Sequence, residues 1–443
     1  MNGYLVVKEA DSAVMCICGE QSYNSTQKYR MSDFVVSQKM SDGTLFLSCL
    51  TGEIVKVFDY NKSFQYLVMH WFLILNETDE KSLVPKLRKL LNAFEQTRER
   101  KLKYFEIVTT TYCNANCFYC YEKGYNISSM NSITAKKVVE FIKNNNSDSS
   151  IKIQWYGGEP LMNSNSIDII CDGLKQHNID FESSIISNGL LFNDNIIHKA
   201  NILWNLKMAR ISLDGNEDIY NKVKSYKNIS ENPFCRVLLN IDKLLNANIH
   251  VGLRINIEYY NFESCLSLIN NLATKYKGNE LISFNINLLN NTQRNDKIES
   301  NKEKRYPLFK EIVKIKERLF REGFNVNFIS IPNMSTVFCP ADDRSHILIR
   351  PNGDLAFCAE NFDNIAESNI FSNHNDIHIP KMFYDTYQKN DTCNDCPMYA
   401  SCTLSKLCPS CKPPCTPEIK EIKIYELKLS MEKLYHNYIK TNM

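Results

Sequence analysis

Three cysteines, Cys113, Cys117 and Cys120, stand at CxxxCxxC spacing in a chain of 443 residues. Three thiolates can ligate three irons of a four-iron cluster, leaving the fourth iron without a protein ligand and open to a bidentate small molecule. A structural zinc site wants four closed ligands, so these thiols would serve zinc only if a distant histidine joined them. The motif follows directly on Phe105-Glu106-Ile107-Val108-Thr109, a run of β-branched and aromatic residues that reads as a strand. The C-terminal end of a parallel strand is where an α/β barrel places its chemistry.

Gln154-Trp155-Tyr156-Gly157-Gly158-Glu159-Pro160 ends the next strand. Glycines let a backbone approach a ligand closely, and a carboxylate such as Glu159 can accept from an ammonium. By itself this segment also reads as an ordinary strand-ending turn. Ser187-Asn188-Gly189 and Ser212-Leu213-Asp214-Gly215 end later strands, and Arg254 and Asn256 share one face of another. Arg254 suits a carboxylate partner, either in a ligand or in a salt bridge inside the barrel.

The cysteine segment, with the aromatic Tyr119 just before its last cysteine, resembles the signature of the radical S-adenosylmethionine (SAM) superfamily. That resemblance implies that the methionine amino and carboxylate groups of SAM chelate the unique iron. It implies that one electron then cleaves the sulfonium to a 5′-deoxyadenosyl radical, which abstracts a substrate hydrogen. It makes Cys113, Cys117 and Cys120 both catalytic and metal-binding. It also gives a cofactor-binding set of Tyr119, Gly157, Gly158, Glu159, Pro160, Ser187, Asn188, Ser212, Asp214, Arg254 and Asn256. Within it, Glu159 resembles the methionine-amino contact, Arg254 the carboxylate partner and Ser212 a ribose contact.

A second cysteine group comprises Cys339, Cys358, Cys393, Cys396, Cys402, Cys408, Cys411 and Cys415. It resembles the SPASM extension of radical enzymes that modify peptides, which houses two auxiliary 4Fe-4S clusters. Eight cysteines are what two fully ligated clusters need, so three 4Fe-4S clusters account for all eleven clustered cysteines. Zinc ribbons are the structural alternative, because Cys393/Cys396 and Cys408/Cys411 are CxxC pairs. The run departs from the family pattern: five residues separate Cys402 from Cys408, and Lys406 stands where the next ligand would fall. The resemblance assigns Cys339, Cys358 and Cys408, with Cys411 as a further candidate, to the first auxiliary cluster. Cys393, Cys396, Cys402 and Cys415 go to the second. An incompletely ligated first cluster would leave a place for a substrate thiol.

The elements that must position these residues are legible in outline. Strands are expected at Phe105–Thr109, Ile151–Tyr156, Ser184–Ser187, Ala209–Leu213, Val251–Ile257 and Ile282–Leu288, with helical patterns between them, as at Thr134–Lys143 and Ile167–His177. Alternating strand and helix implies parallel strands with helical crossovers. The expected fold is α/β, a partial (β/α)6 TIM barrel over 101–330. Before it lies an α+β module at 1–100, with a hairpin around Ser41-Asp42-Gly43, a strand at Ile54–Phe58 and a helical stripe of Leu83, Leu87, Leu90, Leu91 and Phe94 read as core packing. This module resembles the winged-helix-like domains that bind leader peptides in peptide maturases. A cysteine-rich SPASM domain at 331–416 and a C-terminal helix at 417–443 complete the division. His374 and His378 read as solvated loop residues, and the many asparagines as a mark of an AT-rich genome.

Composition narrows the class. The net charge of +2 gives no field for nucleic acid. The longest apolar run, Phe64 to Leu75, is broken by Gln65 and His70 and falls short of the roughly 18 residues that span a bilayer. With no secretory signal visible, the 17 cysteines argue for metal rather than disulfides, and the expected location is cytoplasmic. The resemblance points to a maturase installing a crosslink, thioether or carbon–carbon, on a ribosomally made precursor peptide with a leader. SAM would be its cofactor and a flavodoxin or ferredoxin its electron donor, with neither nucleic acid nor membrane as partner. Two alternatives are an anaerobic sulfatase-type maturase forming formylglycine, and a non-catalytic iron–sulfur or zinc scaffold. The 112 residues before Cys113 favour the peptide maturase over the sulfatase type.

Overall fold

The computed structural model describes residues 3–97, 102–120, 122, 126–146, 150–227, 229, 231–289, 302–334, 345–358, 368–372, 391–402 and 415–442. Cys339, Cys408, Cys411, His374 and His378 lie outside them. The chain forms two compact units that do not follow chain order: Met1–Glu99 with Phe328–Cys339 and Lys381–Met443, and Arg100–Asn327 with Pro340–Pro380.

The first unit begins with β1 (Tyr4–Lys8), α1 (Ser12–Cys18), β2 (Tyr29–Met31), β3 (Val35–Met40), β4 (Gly43–Ser48), β5 (Ile54–Val57), α2 (Tyr60–Met69), β6 (Leu73–Leu75) and α3 (Glu80–Thr97). Four of its strands make an antiparallel sheet in the order β1-β5-β4-β3, and β2 pairs with β6. The β3–β4 hairpin closes on Met40 and Gly43, as expected from Ser41-Asp42-Gly43. Gly43 has φ +144°, and a Cβ there would lie 2.3 Å from the Val57 carbonyl. Leu45, Leu47 and Ile54 share a core with Met334, Met398, Leu427 and Met431, which is why chain segments so far apart fold as one unit. The expected stripe on α3 divides: Leu87 and Leu91 join this core, whereas Leu90 and Phe94 are 54% and 38% exposed.

The second unit runs β7 (Tyr104–Thr110), α4 (Ser132–Asn145), β8 (Ser150–Gly157), α5 (Ser164–Gln176), β9 (Asp180–Ser187), α6 (Asp194–Ile202), β10 (Leu206–Ser212), α7 (Glu217–Lys224), α8 (Pro233–Asn246), β11 (His250–Ile257), α9 (Phe262–Lys275), β12 (Ile282–Leu288), α10 (Lys302–Arg321), β13 (Asn325–Val326), β14 (His346–Ile349) and β15 (Leu355–Ala356). Its sheet has nine strands in the order β13-β12-β11-β10-β9-β8-β7-β14-β15. All neighbours are parallel except β14 and β15, which form an antiparallel hairpin. The six strands expected from the sequence are all present, consecutive and parallel, the arrangement of a partial barrel. The β14–β15 hairpin beside β7 is not among the strands expected from the sequence.

Helix α5 shows how the outer layer forms: Ile167, Ile170, Cys171 and Leu174 recur at helical spacing and are fully buried. Several asparagines begin helices. Asn131 accepts from the Thr134 N–H at 2.8 Å and Asn193 from Ile196 at 2.9 Å, so they serve as N-caps. The inner face of the sheet is polar. Gln154 donates to Glu106 at 3.0 Å and accepts from Arg210 at 2.6 Å, each from a neighbouring or nearby strand. The last helix, α11 (Pro417–Asn442), returns to the first unit and packs on β1, β3 and β4.

Candidate active site

The C-terminal ends of β7 to β12 surround a cavity of about 420 Å³. Cys113, Cys117 and Cys120 line it with Tyr119, Gly157, Gly158, Ser187, Asn188, Ser212, Arg254 and Asn256. Residues scattered over 144 positions in sequence thus line one cavity, because parallel strands bring successive C-terminal ends together.

Hydrogen bonds fix the cysteine segment from both sides. Gly158 N–H donates to the Thr110 carbonyl and Glu159 N–H to the Tyr112 carbonyl, each at 3.0 Å. The glycines are needed for this contact. A Cβ on Gly157 would lie 2.1 Å from the Thr110 oxygen, and one on Gly158 would lie 2.6 Å from the Thr111 and Tyr112 oxygens. The close approach expected toward a ligand is therefore first an approach to the strand that carries the cysteines. On the far side, Asn116 N–H donates to the Lys224 carbonyl at 2.7 Å. Asn188 Nδ2 reaches Asn114 Oδ1 at 2.7 Å.

Three sequence-derived residues lie behind the wall rather than in it. Glu159 is fully buried. Its carboxylate accepts from Asn188 N–H at 2.8 Å, Leu161 N–H at 3.2 Å and Ser187 Oγ at 2.9 Å. Burial nevertheless pushes its carboxyl up to about 7. Pro160 opens the following 3-10 turn and is buried. Asp214 accepts from the backbone and the side chain of Asn256, both at 3.0 Å, and from the Tyr119 hydroxyl. It thereby ties the ends of β10 and β11 to the cysteine segment.

Sequence reasoning passed over Lys224 and Glu122, which also line the cavity. Lys224 Nζ lies 3.0 Å from Asp214, 2.7 Å from Ser212 Oγ and 3.2 Å from the Tyr119 hydroxyl. Burial works against the charge on this lysine, but the Asp214 carboxylate outweighs it and holds the ammonium well above its ordinary value. Burial alone would also raise Asp214, and Lys224 with the hydrogen bonds keeps it below its ordinary value. In the sequence Lys224 reads as a cation at a helix end. The only hint was its place with Tyr220 and Val223 on the buried face of α7. Glu122 Oε2 is buried without a hydrogen-bond partner among the described residues. Burial, and secondarily Glu106, pushes its carboxyl up to about 7.

The donor set fits an iron–sulfur cluster with SAM. The three thiols are in a mostly buried setting that raises Cys113 to about 12 and Cys120 to about 11, and such thiols deprotonate on binding metal. No three His, Cys, Asp or Glu side chains among the described residues gather as a single metal ion requires. A four-iron cluster instead gives each thiolate its own iron. The Arg254 guanidinium has no hydrogen-bond or ion-pair partner among the described residues and is open to an anionic group in the cavity.

In the first unit, Cys415 lies within electrostatic reach of Cys393 and Cys402, and Cys396 within reach of Cys402 and Cys415. Burial raises the Cys396 thiol to about 11, and Cys402 and Cys415 add to the effect. Burial also raises Cys415, with Cys402 and Cys393 adding. Lys423 of α11 faces Cys402 and Cys415. Cys358 follows β15 in the second unit.

Residues 107–272 match the family model described as the Radical SAM superfamily. Among curated relatives, the GTP 3',8-cyclase of Clostridium perfringens is 30% identical over 39% of this chain and 52% of its own length. The radical SAM cyclopropyl synthase TigE of Paramaledivibacter caminithermalis is 29% identical over 36% of this chain and 39% of its own. The chain spans about half the length, or less, of the curated relatives it matches. Two solved structures share the fold. SuiB of Streptococcus suis has a TM-score of 0.53 at 13% identity, covering 85% of this chain and 95% of its own, and has also been solved bound to precursor peptide SuiA. The anSMEcpe structure with bound AdoMet and Cp18Cys peptide has a TM-score of 0.56 at 15% identity, covering 75% of this chain and 99% of its own. No helix among the described residues is long and apolar enough to cross a membrane. The likeness to the radical SAM superfamily thus lies in residues 107–272, which carry the three cysteines and most of the strands that line the cavity.

Proposed function

We propose that the chain uses a 4Fe-4S cluster on Cys113, Cys117 and Cys120 and SAM to modify a ribosomally synthesised precursor peptide. The carrying observation is that these three cysteines line one cavity with Gly157, Gly158, Ser212 and Arg254 at the ends of consecutive parallel strands. Held by Cys113, Cys117 and Cys120, the cluster would supply the single electron that reductive cleavage of SAM requires.

The chain's residues do the binding and the orienting. Arg254 pairs with the methionine carboxylate by its planar fork. Ser212, already held by Lys224 at 2.7 Å, would take the ribose. Asn188 and Ser187 are fixed by the Glu159 carboxylate, which acts on the cofactor through them. The auxiliary cysteines would hold two further clusters, with Cys393, Cys396, Cys402 and Cys415 forming the second set.

A peptide substrate is supported by the fold shared with SuiB and anSMEcpe, both solved with peptides. In the first unit, β1 and β3 are the edges of the antiparallel sheet. An extended leader could add to such an edge through backbone hydrogen bonds. The test is anaerobic incubation of the reconstituted chain with SAM, a one-electron donor such as flavodoxin, and a short peptide encoded beside the gene. Peptide-dependent 5′-deoxyadenosine and a changed peptide mass are expected. Stimulation by GTP, with no effect of peptide, would instead assign a nucleotide substrate.

A further inference from the structure

Lys224 is a buried ammonium in the wall that carries Cys117. It is 2% exposed, and its Nζ is surrounded by Asp214 at 3.0 Å, Ser212 Oγ at 2.7 Å and the Tyr119 hydroxyl at 3.2 Å. Its own carbonyl accepts the N–H of Asn116, the residue before Cys117, at 2.7 Å. One residue is therefore bonded to the cysteine segment at both its backbone and its side chain. The ion pair it makes with Asp214 is oriented: Lys224 lines the cavity with Cys117 and Cys120, whereas Asp214 lies behind the wall. In a buried setting such a pair acts as a fixed dipole, and water screens it little.

Adding an electron to an iron–sulfur cluster adds one negative charge, and nearby charge is among the factors that set its potential. We propose that Lys224 tunes the cluster on Cys113, Cys117 and Cys120: its fixed positive charge, facing the cavity and backed by Asp214, makes the cluster easier to reduce. The proposal rests on the cluster reading given above. The step is the gain of one electron by the cluster from an external one-electron donor, and Lys224 neither gains nor loses a proton.

The test is an anaerobic redox titration of the reconstituted full chain with dithionite, followed by electron paramagnetic resonance. The relevant signal is the one absent from a variant with Cys113, Cys117 and Cys120 all changed to Ala. Lys224→Met should lower its midpoint so that about tenfold less cluster is reduced at a fixed potential, which is 59 mV for one electron. Asp214→Asn should move the midpoint the opposite way, and Lys224→Arg should restore it toward wild type. Unchanged midpoints at full iron content would overturn the proposal. So would shifts of Lys224→Met and Asp214→Asn in the same direction, which is what a merely structural role predicts. If Lys224→Met fails to load iron, Asp214→Asn decides alone: a raised midpoint supports the role and an unmoved one ends it. A wild-type chain without the assigned signal would remove the cluster reading itself, and the proposal with it.

Discussion

The Glu159 carboxylate accepts the backbone N–H of Asn188 at 2.8 Å, so the turn after β8 is locked to the end of β9. Glu159→Ala leaves that donor, the Leu161 N–H and the Ser187 hydroxyl buried without an acceptor. The expected loss is about 1–3 kcal/mol of stability, read by chemical denaturation. An unchanged denaturation midpoint would mean that water replaces the carboxylate at no cost.

The same residue gives a pH signature. Burial raises the folded-state Glu159 carboxyl to about 7 from an ordinary value of 4.5. The folded chain therefore binds a proton that the unfolded chain has released. This stabilisation is fully present below the unfolded value and is lost as pH rises through the folded one. Between about pH 5 and 7 the wild type should lose stability relative to Glu159→Gln, as seen in thermal unfolding. Parallel pH profiles would count against a raised carboxyl at this position.

Gly158→Ala should damage the metal site without touching a ligand. Its Cβ would lie 2.6 Å from the Thr111 and Tyr112 carbonyl oxygens, so the strand leading into Cys113 must move. Iron content after reconstitution should fall. Gly278→Ala serves as the comparison, because it carries a positive φ but has nothing within 4 Å of an added Cβ, and it should retain full iron.

Much of this site was legible in the sequence, and the exceptions have physical causes. The CxxxCxxC segment and the Gly-Gly-Glu-Pro turn are contiguous motifs at strand ends, and parallel topology then brings their residues into one cavity. Lys224 could not be read in this way. A lysine closing a helix looks solvated until the packing of α7 buries it against Asp214. The alliance of Leu45 and Ile54 with Met398 and Met431 leaves no periodic trace, because contacts between distant segments impose no spacing. The β14 strand is only four residues long, too short to show a period.

Arg254→Lys keeps the charge but loses the planar fork. If Arg254 pairs with the SAM carboxylate, the substitution should weaken SAM binding about 10- to 150-fold while leaving iron content intact. Anaerobic equilibrium dialysis measures this directly. Equal affinities would assign Arg254 to the barrel interior, alongside Arg210.

The central claim is tested most directly by incubating the anaerobically reconstituted chain with SAM and dithionite and measuring 5′-deoxyadenosine together with iron. The wild type should form 5′-deoxyadenosine. The variant with Cys113, Cys117 and Cys120 all changed to Ala should form none and should lose about four irons per chain. Stoichiometric zinc without iron in the wild type, or 5′-deoxyadenosine formation by the triple variant, would contradict the account.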